Sequence, residues 1–441
     1  MKADVVVVGA GAAGLAAARV LAQQSFDVVV VEARDRVGGR ILSVPAPDGS
    51  PPMELGAEFI HGPAEETRAL LARSGGVALE TDGDSWTSDG GEALAKSDTD
   101  ISAAAALLAG ARDLPKDESV ARYLERFADD DTKRAAIEHA RIFAEGFDAA
   151  DPAIASAWSI ADEILSGVDF SSAWPSAGYA PILAQLTTAC TSAGARIHLS
   201  TVVRAARWRR GHIEIETTNA LGERDVVTAR AAILTLPVGV LRANAGEEIA
   251  FVPELPARTR EALAFLEMGH VVKVVLRFAT PFWETIGDGR YRGAGFFHDG
   301  GGPFAVFWTQ ASVHSNLVVA WIGGSDAKRL QDATSAKRIE LALDQFGTML
   351  GDVATARTAF AAGATHDWMT DPFARGAYSY VLIGGAAARR TLAESIEQTL
   401  FFAGEATSVD GQGGTVNGAI RTGERAAREA LRALTEKGDS R

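Results

Sequence analysis

Four β-branched residues in a row, Val5-Val6-Val7-Val8, run into Gly9, and after an Ala-rich stretch from Ala12 to Gln23 the pattern repeats as Val28-Val29-Val30-Val31 before Glu32. A run that is apolar on both faces reads as a parallel strand buried between layers, and the Ala-rich stretch reads as the helix joining two such strands. The chain therefore opens as a βαβ unit. Helical spacing predicts helices over Ala103–Leu108, Val120–Phe127, Lys133–Phe147, Ala155–Leu165 and Tyr179–Ala193, so residues from Thr67 to about Gln185 are expected to be mostly helical. Trp86 falls in an expected hairpin between Asp82-Gly83 and Asp89-Gly90-Gly91, and Pro45–Pro52 is a breaker-rich loop. Short strands are predicted over Arg196–Leu199, Val202–Arg209, Ile213–Thr217 and Asp225–Ala229. The buried-strand pattern returns at Ala231–Leu236 and from Leu400, and a last helix runs from the Gly411–Gly414 loop to about Leu434.

The first unit carries chemistry at its junctions. Gly9, Gly11 and Gly14 have the GxGxxG spacing: the first lets the chain turn tightly, the second lets backbone approach a pyrophosphate, and the third lets helix and strand pack closely. The helix N-terminus then faces an anion with free N–H groups. Glu32 closes the second strand about 20 residues on, where a carboxylate accepts hydrogen bonds from an adenosine ribose. A glycine triplet alone is a weak signal, but two flanking strands and a correctly placed acid make a dinucleotide site the reading.

The run Glu32-Ala33-Arg34-Asp35-Arg36-Val37-Gly38-Gly39-Arg40 resembles the extended fingerprint of the flavin-containing amine oxidase family, and a nicotinamide dehydrogenase would not need it. The resemblance implies that Arg34, Gly39 and Arg40 address FAD, the last two along its phosphates. It continues through Met53–Gly62, where it implies that Glu58 and Phe59 lie along the flavin and that His61 faces the substrate channel; polyamine-oxidising members share the Ile60-His61-Gly62 ending. By the same likeness the backbone of Val203 addresses the adenine. Lys273, in the apolar segment His270–Phe278 ahead of Phe282-Trp283, holds a water against flavin N5. The segment His366–Tyr380 matches the family's Trp, Asp-Pro, Gly and Tyr-Ser-Tyr pattern, which places Trp368 with the cofactor residues and makes Tyr378 one wall of an aromatic cage. Glu405 falls on the ribityl or pyrophosphate part, and Thr415 and Val416 at the pyrimidine edge, where the Gly-rich loop and helix start suit the negative charge of a reduced flavin.

Without the resemblance these residues have plainer readings. His61 is a loop histidine, Val203 an ordinary strand residue, Trp283, Trp308, Trp321 and Trp368 are packing, and Lys273 is as readily an edge-strand lysine with its amine in solvent. Two departures from the family pattern matter. Ala377 stands where monoamine oxidases carry a flavin-linked cysteine, so non-covalent FAD is expected. Thr415 stands where they carry the second cage tyrosine, so a half-open cage suited to long or bulky amines is expected.

The expected fold class is α/β, a Rossmann-like FAD-binding domain (1–80, 186–250 and 390–441) interleaved with an α+β substrate-binding domain (81–185 and 251–389, a helical part plus a mixed sheet). The implied function is oxidation of a C–N bond of a polyamine or other primary or secondary amine to an imine, with O2 reduced to H2O2. Lys273, Tyr378 and His61 are the catalytic candidates. An L-amino acid oxidase or a desaturase of related architecture is the alternative, less favoured because no arginine can be assigned to clamp a carboxylate. A non-catalytic FAD-binding protein is the third reading. Histone is a poor candidate substrate, since the long insertion and added domain of histone demethylases have no room here.

Composition narrows the partners. A chain of 441 residues exceeds one ordinary domain, and 47% hydrophobic with 23% charged residues is the make-up of a globular protein. A net charge of −14 argues against nucleic acid. The expected partners are a small-molecule amine and O2, without a membrane and with homo-oligomerisation left open. The single cysteine, Cys190, offers no intrachain disulfide or Cys-based metal site, and no metal is expected. Asp4 and the interrupting glycines argue against a signal sequence, so a cytoplasmic location is expected.

Overall fold

Val5–Val8 (β1) and Val28–Val31 (β2) pair in parallel, Val5 opposite Val28 and Val8 opposite Val31, and all of these valines are buried. The structure, a computed structural model, describes residues 1–46, 49–88, 94–97, 102–167, 171–243, 249–311 and 313–436. Arg196–His198 (β3), Ala231–Leu234 (β4) and Leu400–Phe402 (β5) complete a parallel sheet in the order β3-β2-β1-β4-β5. That is the order of a doubly wound dinucleotide fold. Alternate valines face opposite layers. Val5, Val7, Val28 and Val30 share a core with the helices Ala12–Gln23 (α1), Ala180–Ser192 (α2) and Val416–Thr435 (α3). Val6, Val8, Val29 and Val31 pack instead on a second sheet of Thr201–Arg209, His212–Asn219, Arg224–Ala229 and Ala250–Val252.

α1 is built from small residues because α3 lies against it. A Cβ on Gly423 of α3 would sit 2.1 Å from the Ala13 carbonyl oxygen, and one on Gly14 would sit 1.9 Å from that of Gly9. The expected domain limit at residue 185 falls inside α2. Ile182, Leu183, Leu186 and Cys190 all enter the core around α1, and the Cys190 thiol donates to the Leu15 carbonyl at 3.0 Å. A helix buries its face as a unit, so α2 goes entirely with the parallel sheet.

The intervening segments build a second body. Its seven-stranded sheet runs in the order Phe360–Thr365, Val271–Phe278, Leu317–Gly323, Val306–Trp308, Ala294–Asp299, Asp84–Ser88, Ala95–Ser97. Lys273 therefore lies on an interior strand, paired on both sides, which rules out the edge reading. The Trp86 hairpin forms between Asp84–Ser88 and Ala95–Ser97, while its expected Asp89-Gly90-Gly91 flank lies outside the described residues, as do 47–48 of the Pro45–Pro52 loop. The stretch expected to be mostly helical carries Ser102–Ala109, Val120–Glu125, Arg134–Ile142 and Ala157–Leu165. Among the described residues it also carries four strands, Ala78–Glu80, the two of the Trp86 hairpin and Ser172–Pro175. The last of these joins Ile60–His61 and Ala78–Glu80 in a small sheet that brings the helical part to the cavity wall.

Gly423→Ala is expected to lower stability by about 1–3 kcal/mol, the range for overpacking a close contact. Thermal unfolding checks it, and an unchanged midpoint would mean that α1 and α3 can part without loss.

Candidate active site

One cavity of about 1750 Å³ runs from the ends of β1 and β2 into the second body. Its lining contains Gly9, Gly11, Glu32, Arg34, Gly39, Arg40, Glu58, Phe59, His61, Val203, Lys273, Trp368, Tyr378, Glu405, Thr415 and Val416. Gly14 is the exception among the residues anticipated from sequence. It lies beneath the cavity, against Gly9, and acts through packing alone.

The nucleotide end follows from the glycine turn. Gly9 has φ +104°, and Gly11 caps α1 without a side-chain bond. The first-turn residues Ala12 and Ala13 reach the cavity, where their amides can meet an anion. Glu32 is held by two backbone amides, Ala10 N at 2.8 Å and Arg34 N at 2.9 Å, and keeps acceptor capacity for hydroxyl donors. Arg34 itself pairs with Asp371 at 2.7 Å, so it ties the nucleotide strand to the Asp371-Pro372 loop. Burial alone would raise the Asp371 carboxyl, but bonds from His366 and Arg34 hold it well below the usual range. Val203 sits at a β-bulge that separates it from Ala205, an irregularity that re-aims the strand beside the cavity.

The middle is held by Glu405. Arg40 reaches its Oε1 at 2.9 Å and the Ala377 carbonyl at 2.8 Å. Ser379 Oγ donates to its Oε2 at 2.7 Å, and the Gly414 amide at 3.3 Å. Burial works against this charge, yet Arg40, Arg389 and Ser379 together keep the carboxyl below its ordinary value. Thr415 caps α3 by accepting from Gly418 N at 2.9 Å, so it is committed to the helix start.

At the far end Lys273 Nζ stands 2.6 Å from Glu58 Oε2, with the two side chains only 3% and 6% exposed. It also donates to the Gly56 carbonyl at 3.1 Å. The first contact is an ion pair and the second takes one of its three N–H groups. Trp308 Nε1 reaches Glu58 Oε1 at 3.3 Å. The Tyr378 hydroxyl donates to the Phe147 carbonyl at 2.7 Å, and a Cβ on Gly414 would come within 3.2 Å of its ring. The ring is fixed between the helical part and the loop before α3. His61 bonds Ser172 Oγ at 2.9 Å and meets Phe147 edge-on at 5.0 Å; burial pushes its imidazole down to about 4. Trp368 is pinned by its Nε1 on the Leu55 carbonyl at 2.9 Å.

Sequence reading left out Trp308 and Trp321, assigned to packing but lining the cavity, and Arg389, Asp148 and Glu163. An acid immediately after the Phe143–Phe147 turn was the one signal available for Asp148.

The cradle fits FAD on this structure's own terms. Glycine backbone and uncapped amides suit phosphates, Glu32 suits a ribose, and the cavity is far larger than an ordinary ligand pocket. A dinucleotide cradle leading without a break into an aromatic-lined chamber is the arrangement of a flavoprotein oxidoreductase. The chain belongs to the family of flavin-containing amine oxidoreductases, whose model matches residues 12–431. It is 29% identical over 463 residues to lysine-specific histone demethylase 1 homolog 1 of Oryza sativa subsp. japonica, covering 98% of this chain and 53% of that protein, about half its length. It is 29% identical over 480 residues to polyamine oxidase 4 of the same rice, covering 99% and 90%. Among solved structures, putrescine oxidase bound to putrescine aligns at TM-score 0.79 and 21% identity over 98% of this chain and 99% of that one. Cyclohexylamine oxidase from Brevibacterium oxydans IH-35A aligns at 0.80 and 21%, over 99% and 100%. Those structures share the fold.

Glu58→Gln leaves a buried ammonium without its counter-charge and is expected to cost about 3–5 kcal/mol. Adding Lys273→Met to it is expected to restore most of that loss in denaturant unfolding; additive losses would dissolve the pair as a unit. His61 gives a pH signature. As pH falls, the unfolded chain binds a proton at about 6.5 and the folded one only near 4. The contribution is therefore complete above 6.5 and is lost by pH 4, at most about 3 kcal/mol. Relative to His61→Gln, the wild type is expected to lose stability across that window, and parallel pH curves would contradict the burial of a neutral ring.

Proposed function

We propose that the protein is an FAD-dependent amine oxidase that converts a C–N bond of a polyamine or other primary or secondary amine to an imine, hydrolysed to an aldehyde or ketone. FAD, held non-covalently because Ala377 offers no thiol, supplies the electron acceptor for this oxidation, and O2 then takes the electrons to hydrogen peroxide. The observation that carries the reading is the buried Lys273, placed by an interior strand against the same cavity that begins at the glycine turn.

The chain's own groups have distinct tasks. Gly9, Gly11, Gly39 and the amides of α1 receive the phosphates, Glu32 the ribose, and Arg34 and Arg40 brace the loops around them. Glu405, Thr415, Val416 and Trp368 shape the cradle around the ring system, with Glu58 and Phe59 alongside it and Val203 at the adenine. Lys273 directs an N–H to a water. Tyr378 presents a ring face, since its hydroxyl is spent on Phe147, and a ring face orients an amine and tolerates its cation. His61, neutral at pH 7, offers no positive charge to repel an approaching ammonium. A cytoplasmic location goes with this small-molecule role.

The amino acid oxidase alternative needs a free guanidinium near the cage. Arg40 is engaged by Glu405 and Ala377, and Arg389 by Ser379, which supports the amine reading. The test is the flavin spectrum of purified protein mixed anaerobically with spermine, spermidine and several monoamines, then opened to air. Bleaching by an amine, with recovery and peroxide in air, is expected; a flavin indifferent to every amine would overturn the proposal. Lys273→Met is expected to slow flavin turnover, and unchanged reductive and oxidative rates would remove its assigned role.

A further inference from the structure

One face of the seven-stranded sheet is a wall of the cavity, and the cross-strand register fixes the order of its residues. Lys273 stands opposite Trp321, Trp321 opposite Val306, Val306 opposite His298 and His298 opposite Thr87. Residues directly opposite on paired strands share a face of the sheet, and all five line the cavity. They form one row across five neighbouring strands. With about 4.8 Å for each step between strands, the row runs about 19 Å from Lys273 to Thr87. Intervening residues such as Val272, Ile322, Phe307 and Phe297 turn the other way, into the sheet's own core. The next row on the cavity face, Val275, Val319 and Trp308, is buried in a cluster with Leu55 and Trp174. Along the row that starts at Lys273, exposure rises outward: Lys273 is buried, Trp321, Val306 and His298 are half-buried, and Thr87 is exposed.

The chemistry of the row changes in the same order. Lys273 is balanced by Glu58. The Trp321 indole follows, braced by the Trp308 ring at 5.8 Å between centroids, and Trp308 is itself tied by its Nε1 to Glu58. Beyond the Val306 side chain comes the His298 imidazole, nearly parallel to the Phe296 ring. Burial and the charge of His139 both hold that imidazole below its usual value. At the mouth, Thr87 Oγ1 and Ser97 Oγ share a hydrogen bond of 2.9 Å. No carboxylate stands in the row. A charged group lying along it would give up water without gaining a counter-charge from it, whereas methylene groups would gain from burial against the indole and the imidazole.

We propose that Trp321 and His298 are specificity-determining residues, forming a track for the carbon arm of the substrate that favours amines with an extended, uncharged arm. The proposal rests on the amine-oxidase reading and narrows its substrate class. Its test is anaerobic calorimetric titration of the dithionite-reduced holoprotein, in which no oxidation follows binding. The probes are propylamine, which reaches no further than Trp321, decylamine, which reaches His298, and the diamine of decylamine's length. Wild type, Trp321→Val and His298→Ala are compared. Both positions belong to the half-buried cavity wall, and the ratio of two affinities within one variant does not depend on how much of the protein is folded.

Wild type is expected to bind decylamine at least about 10-fold more tightly than propylamine, the worth of a few buried methylenes, and also more tightly than the diamine, whose far ammonium must be desolvated. His298→Ala is expected to weaken decylamine at least about 3-fold and to move propylamine less than about 2-fold, because only the longer arm loses burial there. Trp321→Val is expected to weaken both. A merely structural role for His298 would move the two alkylamines alike. An unchanged ratio in His298→Ala, a diamine bound as tightly as decylamine, or a wild type that binds none of the probes overturns the track. In each of those cases, bleaching of the oxidised wild-type flavin by amines leaves the oxidase reading standing. Length-dependent binding that is lost in His298→Ala, with no bleaching of wild type by any amine, keeps the track and overturns the oxidase reading.

Discussion

The site exists because Glu405 is buried with every oxygen partnered. It draws Arg40 across 365 residues of sequence, Ser379 across 26 and Gly414 across 9 to one point. Arg389 stands at 3.8 Å as a second positive charge. Taking a carboxylate out of water is costly, and the cost is met only when donors surround it. The three segments that wall the middle of the cavity are therefore coupled: displacing one leaves a buried charge short of donors and weakens the hold on the other two.

The same principle, varied by donor type, gives the other buried acids their states. Glu32 takes its hydrogen bonds from backbone amides, with the Arg34 guanidinium at 3.9 Å. Glu54 meets the Ser43 hydroxyl and the Tyr179 amide, and burial still raises it above the usual range. Glu405 meets two arginines and goes the other way. Glu58 meets the Lys273 ammonium, so two buried charges neutralise each other where they stand. Asp148 and Glu163 meet none of these donors, and burial raises both against the charge of Arg389 alone.

What could be read from the sequence was what the chain encodes locally. The valine runs, the glycine turn and Glu32 sit within thirty-two consecutive positions, so period and spacing suffice for the βαβ opening, while the five-stranded order came from the structure. The resemblance brought forward the distant residues, and all but Gly14 reach one cavity. The exposure of Lys273 could not be read, because an isolated lysine in an apolar strand does not say which strands flank it; the pairing with Leu317–Gly323 and Phe360–Thr365 decides that. The strands hidden in the helical stretch failed for a related reason. Ala78–Glu80 and Ser172–Pro175 are too short to show a period, and they are strands only because they pair with each other.

The positive charges at the deep end of the cavity are balanced or neutralised where they stand. Lys273 is the positive group nearest Glu58, and its charge is already balanced there. His61 is kept neutral by burial. Arg40 and Arg389 are turned into the wall by Glu405 and Ser379. The cationic side chains at the deep end are thus each spent on a partner in the wall, beside aromatic faces that tolerate a cation. This follows from how the walls are pinned, and it holds for a chain whose overall charge of −14 already favours cationic partners.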